Sequence, residues 1–203
     1  MTTFALPGAA PARARIDQQR VADLYRQLLT ELGEDPDRNG LTGTPERVAR
    51  WWAEFLEYAP GRTDTVFAHE SAIVGGDELV LVSGIVVDSL CEHHLQPMTL
   101  TVSAGYRPGG QVIGLSKIAR IAVAHGHRLQ LQERIVNGIA ADLLKATGSA
   151  DVAVAARGGH ACMSARGIRA TGAVTTSYSL HGAFAQAGPP TDWLRATVLG
   201  ASR

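Results

Sequence analysis

The sequence has few cysteines, no net charge and no long apolar run, and each absence excludes a class of protein. Nineteen basic residues balance nineteen acidic ones among 203, so no bulk field would draw the chain to nucleic acid or to an anionic membrane. No apolar run reaches the length of about 18 residues that a membrane-spanning helix needs. A content of 45% hydrophobic and 19% charged residues is typical of a globular protein with a core.

The two cysteines, Cys91 and Cys162, each have histidines beside them. Residues 1–16 contain two arginines but lack the ordered regions of a signal peptide, so we expect a flexible arm and a cytoplasmic protein. In a reducing cytoplasm a disulfide is not expected, and the neighbouring histidines favour a metal site. Neither G-x-G-x-x-G nor G-x-x-x-x-G-K-[ST] occurs, so no Rossmann or Walker nucleotide site is indicated.

The front of the chain is predicted to be helical. Apolar residues at three- and four-residue spacing from Val21 predict an amphipathic helix with Asp17 as its N-cap and Gly33 as its end. Thr44 and Pro45 predict the start of a second helix, with Thr44 as its cap. The large aromatic residues of this second helix are interpreted as core or subunit-contact residues rather than as a ligand stack.

The remainder alternates between strand and helix patterns. Segments 78–87 and 98–107 are rich in β-branched residues and predict strands, helical spacing follows from Ser116, and 151–157 and 171–180 return to strand. This order predicts an α+β domain with a mostly antiparallel sheet. We therefore divide the chain into the arm at 1–16, a helical region at 17–60 and the α+β domain at 61–203.

Two short clusters combine thiols and imidazoles. The stretch SLCEHHLQP, residues 89–97, contains Cys91, His93 and His94, and GGHACMSARG, residues 158–167, contains His160 and Cys162. Thiolates with an imidazole suit zinc, and three protein ligands would leave a fourth position for water. A buried cysteine with two surface histidines is the alternative for any one residue, but two tight clusters favour a metal. Spacing alone leaves open which histidine is a ligand.

A third cluster, GLSKIAR at residues 114–120, predicts an anion site. Ser116 could cap the helix, and Lys117 and Arg120 would share one helix face near its N-terminal N–H groups. An ordinary solvated helix start is the alternative, and the nearby metal pattern with Arg166 favours the anion. In LQERI, Gln132 and Glu133 open another helix, where an amide and a carboxylate could pair with a guanine edge or simply begin the helix.

Taken together, these segments resemble GTP cyclohydrolase I. The resemblance covers about 140 residues in the family's order, through TPERVA (44–49), SLCEHHLQP (89–97), GLSKIAR (114–120), RLQLQERI (128–135), HACMSARGIR (160–169) and TTSYSLHGAF (175–184). It implies the tunnelling fold (T-fold): a four-stranded antiparallel sheet with helices on one face, behind an N-terminal helical region. It also implies a homodecamer of two stacked pentamers with active sites at subunit interfaces.

The resemblance also implies roles for individual residues. Cys91, His94 and Cys162 match the zinc ligands, and His93 and His160 match two histidines that move protons. The guanine ring would be held by Gln132 and Glu133, with Ser116 near the ribose and phosphates. The triphosphate clamp is matched by Lys117, Arg120 and Arg166, with Arg47 joining from a neighbouring subunit.

The activity implied is zinc-dependent hydrolysis of GTP to 7,8-dihydroneopterin triphosphate and formate, the first step of pterin and folate biosynthesis. A protonated His160 would donate to a nitrogen of the imidazole ring as that ring opens. Two alternatives stay open at this point. One is a related enzyme that stops at the formamide or acts on another purine nucleotide, and the other is a non-catalytic ring protein that contains zinc. Neither nucleic acid nor a membrane is expected as a partner.

Overall fold

The structure is a computed structural model that describes residues 15–68 and 78–186 together with residues 188 and 192. The described residues form two compact units, one within Ala9–Ala59 and the other within Pro60–Arg203. Within the described part, no helix has both the length and the apolar content needed to cross a membrane. The predicted arm at 1–16 lies almost wholly outside the described residues, and the three-part division of the chain stays a prediction.

The first unit is a pair of helices, α1 (Gln18–Glu31) and α2 (Thr44–Leu56). The predicted cap is confirmed, because the Asp17 carboxylate accepts from the Arg20 N–H at 2.9 Å. Gly33 ends α1 with a φ of 84°. The predicted cap at Thr44 is wrong. Gly43 takes the N-cap position with a φ of 74°, and Thr44 is already helical, so its hydroxyl accepts from Arg47 instead.

The two helices pack through small and aromatic side chains. Ala49, Ala53 and Phe55 are buried, and the Trp52 indole N–H donates to the Tyr25 hydroxyl at 2.6 Å. Trp51 stacks on Phe55 with ring centroids 5.5 Å apart but stays 43% exposed. The core interpretation is therefore right for Phe55, whereas a subunit contact at Trp51 stays a prediction.

The second unit contains seven strands and three α-helices among its described residues. The strands are β1 (Val66–Ala68), β2 (Val80–Cys91), β3 (Gln96–Tyr106), β4 (Gln111–Ile113), β5 (Leu129–Gln130), β6 (Val152–His160) and β7 (Thr175–Leu180). The helices are α3 (Leu115–Gly126), α4 (Gln132–Thr147) and α5 (Ala161–Ser164), and a 3-10 helix follows at Gly182–Ala185.

The main sheet confirms the predicted fold class. Its order is β5-β2-β3-β6-β7, and the four long strands are antiparallel neighbours. The two-residue strand β5 is added in parallel at the edge beside β2. Strands β1 and β4 form a separate antiparallel pair that leads into α3. The predicted strand 78–87 continues to Cys91, because pairing with β3 extends that far.

Helices α3 and α4 cover one face of this sheet. Alternate residues of β3, from Met98 to Tyr106, are buried against isoleucines of the two helices, the period of two that strand geometry imposes. Gly126 is needed where α3 ends against β2, since a Cβ there would lie 2.3 Å from the Val87 side chain. The predicted cap at Ser116 is wrong. Gly114 precedes the helix without a side-chain cap, and Ser116 lies in the first turn.

Candidate metal centre and its surroundings

The candidate metal centre begins at the turn that joins β2 to β3. Cys91 is the last residue of β2 and pairs with Gln96 of β3, which leaves four residues for the turn. The Leu95 N–H donates to the Cys91 carbonyl at 2.8 Å, and Leu95 itself takes a φ of 54°. This tight turn folds His94 back beside the Cys91 thiol.

The second thiol arrives from the neighbouring part of the sheet. Strand β6 pairs with β3 up to the register of His160 with Met98, and the short helix α5 then carries Cys162. The ligand atoms of Cys91, His94 and Cys162 all lie within 4.8 Å of one another. Antiparallel pairing therefore brings together two segments that are about 70 residues apart in the chain.

The chemistry of this group fits a soft divalent cation. Burial and the hydrogen bond with the Cys91 thiol raise the pKa of the Cys162 thiol, and Arg166 acts in the opposite direction. Two adjacent thiols resist ionisation unless a positive charge offsets the cost, and a dication supplies that charge. Two sulfurs and one imidazole are a three-ligand zinc set with an open position.

The two adjacent histidines occupy different positions. His94 belongs to the metal group, whereas the ring of His93 lies 6.2 Å from the His94 ring, at 85° to it, and is exposed. The Arg166 Nη1 lies 2.7 Å from the His94 Nε2. A guanidinium has no acceptor, so Arg166 donates in this contact. His93 and Arg166 are thus both exposed neighbours of His94.

His160, which is half-buried, and buried Gln132 form a pair beside this group. The His160 Nε2 is 2.7 Å from the Gln132 Oε1. The Gln132 Nε2 donates to the carbonyls of Ala156 and Thr175 at 2.9 and 3.3 Å. Burial lowers the pKa of His160, and the charge of Glu133 opposes that shift. Glu133 is exposed at the start of α4, as predicted, whereas Gln132 is almost fully buried.

Sequence reasoning missed an ion pair that fixes the turn between β2 and β3 to α4. Glu92 accepts from both terminal nitrogens of Arg134, at 2.7 and 3.2 Å. The Glu92 N–H also donates to the Gln130 carbonyl at 3.1 Å. The hydrogen bond with Arg134 lowers the pKa of the Glu92 carboxyl. Both charged residues stand beside predicted site residues, because Glu92 lies between Cys91 and His93 and Arg134 follows Glu133. That placement of opposite charges was the signal in the sequence.

The predicted anion cluster lies elsewhere in the second unit. The Lys117 N–H donates to the Gly114 carbonyl, and the Ile113 N–H that precedes it donates to the Tyr106 hydroxyl at 2.8 Å. Tyr106 ends β3, whereas the metal group lies at the beginning of that strand. The eight-residue step along β3 from Met98, which pairs with His160, to Tyr106 spans about 27 Å. One chain therefore does not bring Lys117 to its own metal group.

Two of the other predicted phosphate contacts, Arg47 and Arg120, are hydrogen-bonded within the chain. The Arg120 Nη1 donates to the Pro60 carbonyl at 2.8 Å, and Ser116 is exposed in the first turn of α3. Arg47 lies in the helical unit, where its guanidinium contacts the Thr42 carbonyl and the Thr44 hydroxyl. Within the second unit, the structure therefore separates Lys117 from the metal group.

Comparison with known proteins points to one family. The family model described as GTP cyclohydrolase I matches residues 21–193. Three proteins named GTP cyclohydrolase 1 are among the relatives. That of Ruminiclostridium cellulolyticum is 45% identical over 83% of this chain and 91% of its own. The Rhodopirellula baltica protein is 42% identical over 98% and 84%, and the Mycobacterium tuberculosis protein 43% identical over 87% and 88%.

Among solved structures, the apo form of the archaeosine synthase QueF-Like is similar over 55% of this chain and 96% of its own. The TM-score is 0.42 and the identity is 18%. A likeness of that size adds nothing to the assignment made by the family model and the sequence relatives.

Proposed function

The chain belongs to the GTP cyclohydrolase I family, and from that membership we propose that it hydrolyses GTP to 7,8-dihydroneopterin triphosphate and formate. One observation carries the proposal beyond the family name. Two thiols and an imidazole from distant segments converge within 4.8 Å at the end of the sheet. That convergence is what a metal-assisted hydrolase needs.

We propose that Cys91, His94 and Cys162 hold zinc. When bound, zinc would act as a Lewis acid that lowers the pKa of water and supplies a nucleophile near neutral pH. The side chains provide the rest: Cys91 and Cys162 compensate the charge of the cation, and His94 completes the set from the turn. These thiols must stay reduced, and a cytoplasmic location therefore remains our prediction.

Proton transfer falls to the two histidines outside the ligand set. His160 lies beside the metal group and would donate a proton to the ring nitrogen that departs as the imidazole ring of GTP opens. Exposed His93 would serve a later proton transfer, in the hydrolysis that releases formate. The exposed carboxylate of Glu133 is placed to accept from the N–H groups of the guanine edge.

Binding of the triphosphate would require a second chain. Lys117 and Arg120 lie at the far end of the sheet from the metal group of their own chain, a separation well beyond the length of a nucleoside triphosphate. We propose that a neighbouring chain supplies these two residues, with Ser116 and Arg47, while Arg166 comes from the metal side. A closed ring satisfies this need at every site, and a decamer of two pentamers is the assembly we propose.

Product analysis tests this function. The purified zinc-loaded protein is incubated with GTP, oxidised with iodine and assayed for neopterin fluorescence and for formate. We expect both products from the wild type and neither from His160→Ala, although that variant should retain its zinc. His93→Ala should also retain zinc, and it should accumulate the formamide. Accumulation of a formamide by the wild type would favour an enzyme that stops early, and no formate at any protein concentration would favour a non-catalytic protein.

A further inference from the structure

The contact between Gln132 and His160 assigns Gln132 a role other than reading guanine. We propose that Gln132 is a positioning residue that fixes the orientation and tautomer of His160, so that Nδ1 is the ring nitrogen that exchanges protons with the substrate. The inference rests on the proposed function for the identity of the reaction. It rests on the hydrogen bonds of Gln132 for the geometry.

The orientation of the Gln132 amide is determined by its neighbours. One end of the amide lies 2.9 Å from the Ala156 carbonyl oxygen and 3.3 Å from the Thr175 carbonyl oxygen. A carbonyl oxygen only accepts, so the atom that faces both must be the NH2 group, which has two hydrogens to donate. A flipped amide would place its own oxygen against two others. The Oε1 therefore faces His160.

This amide orientation in turn selects the tautomer of the imidazole. The His160 Nε2 lies 2.7 Å from the Gln132 Oε1, and an amide oxygen cannot donate. The hydrogen must therefore reside on the His160 Nε2 in the neutral ring, and Nδ1 carries the lone pair. In the charged ring, the proton on Nδ1 is the one that the Gln132 contact leaves available for transfer.

The position of Gln132 makes this arrangement rigid. Its side chain is almost fully buried at 2% exposure, and it is the first residue of α4. The two carbonyls that it bonds belong to β6 and to the start of β7, and His160 ends β6. One amide therefore connects a helix with two strands and the imidazole, and a buried amide with both N–H groups and its oxygen bonded in this way holds a single geometry.

The same bonds limit what the Gln132 side chain offers to a guanine edge. Both amide hydrogens are donated inside the protein, and one of the two lone pairs of Oε1 accepts from His160. Recognition of the guanine edge would then fall to Glu133, the next residue, which is exposed. A residue that positions the acid affects turnover, whereas a residue that reads the base affects substrate binding.

The test combines kinetics with the tautomer of His160. Solid-state NMR of sedimented, histidine-labelled, zinc-loaded protein distinguishes a protonated Nε2 from a protonated Nδ1 in the neutral ring, and His160→Asn assigns the signals. We expect protonated Nε2 in the wild type. Gln132→Met, which keeps the volume and removes the amide, should give mixed tautomers. It should lower kcat about 10- to 100-fold, part of what an acid catalyst contributes, with KM for GTP changed less than about twofold.

Two further variants separate positioning from stability. Gln132→Glu keeps an acceptor for the His160 Nε2 and should retain the wild-type tautomer and a higher kcat than Gln132→Met. Gln130→Met removes another buried glutamine amide, one that bonds the His125 carbonyl, and should leave the His160 signals unchanged.

Protonated Nδ1 in the wild type would overturn the proposal. So would an unchanged tautomer in Gln132→Met, or a loss that falls on KM rather than on kcat. The two NMR results are independent of the proposed function, because the tautomer is measured without turnover, whereas the kinetic result requires the proposed reaction. Absence of formate from wild-type protein would refute the reaction while the NMR result still decided the geometry.

Discussion

At the scale of single residues, the metal group depends on where two strands end. Cys91 is the final residue of β2, His160 is the final residue of β6, and Cys162 follows His160 by two residues, in α5. Each ligand therefore leaves a rigid strand within a few residues, which restricts its freedom before any metal binds. Pre-organisation of this kind lowers the entropic cost of assembling a site.

Removal of one thiolate tests the ligand group. Purified wild-type protein should contain about one zinc per chain, and Cys162→Ser should lose both zinc and turnover, because an open three-ligand site that loses a thiolate binds metal poorly. Metal analysis after gel filtration measures the occupancy. A matched control is Ser164→Ala, which changes a hydroxyl in the same short helix. Full zinc in Cys162→Ser would contradict the assignment.

The ion pair between Glu92 and Arg134 should act on the metal site without touching it. The pair fixes the turn that carries His94, so Glu92→Gln and Arg134→Gln should each weaken zinc binding, by up to about tenfold. The double variant should bind zinc no more weakly than either single variant, because each single substitution already removes the same interaction. Competition with a chelator at low and high salt measures the effect, which salt should reduce.

The exposed pair between Arg38 and Glu34 provides the control for this experiment. It joins an arginine to a glutamate at 2.8 Å in the helical unit, and its neutralisation should leave zinc affinity unchanged. Additive losses in the Glu92 and Arg134 double variant would show that the two residues act separately.

At the scale of elements, a buried polar contact determines how closely α3 and α4 approach. The His125 Nε2 lies 2.7 Å from the Asp142 Oδ2, and both side chains are mostly buried. A Cβ at Gly138 would lie 2.5 Å from the His125 ring, so glycine makes room for the imidazole between the helices. The other oxygen, Asp142 Oδ1, is buried without a partner among the described residues, which makes this contact sensitive to change.

Gly138→Ala should therefore destabilise the protein although alanine is the better helix former. The clash with a ring held by Asp142 should cost about 1–3 kcal/mol of unfolding free energy, more than the gain in helix propensity of about 1 kcal/mol. In a background of His125→Ala with Asp142→Ala, the same change should become stabilising. Denaturant unfolding of the four variants measures both effects. A penalty that persists without the ring would show that another contact fills the space.

At the scale of the whole molecule, one chain contains both halves of the proposed site but holds them at opposite ends of its sheet. The metal group lies where β2 ends, and Lys117 follows β4, whose last residue is bonded to the far end of β3. Sites shared between neighbouring copies in a ring would complete both halves at once. Assembly would then be a condition of activity rather than only a source of stability.

Mixing two inactive variants tests this arrangement. Cys162→Ser lacks the metal group and Lys117→Ala lacks a phosphate contact, so each should have low activity alone. Co-expressed in one assembly, they should recover about one quarter of the wild-type rate if neighbouring chains share each site at random. Recovery to no more than the sum of the separate variants would place both halves of each site in a single chain.

The sequence by itself determined the fold class, several helix ends and the candidate ligands. The fold class, the Asp17 cap, the end of α1 at Gly33 and the α4 start follow from hydrophobic period and capping chemistry, which act over a few residues. The candidate ligands were also readable, because thiols and imidazoles at short spacing have few other uses. Thr44 and Ser116 were mispredicted as caps for a local reason, since a preceding glycine took the turn in each case.

Only the tertiary structure decided which of these residues meet. Strand register placed Cys162 beside Cys91, and packing buried Gln132 so that its amide holds His160 instead of facing solvent. The same register separated Lys117 from the metal group. Contacts of this kind depend on pairing across about 30 to 70 residues, and their geometry is set by the whole sheet and the helices on it. No periodicity within a segment encodes that information.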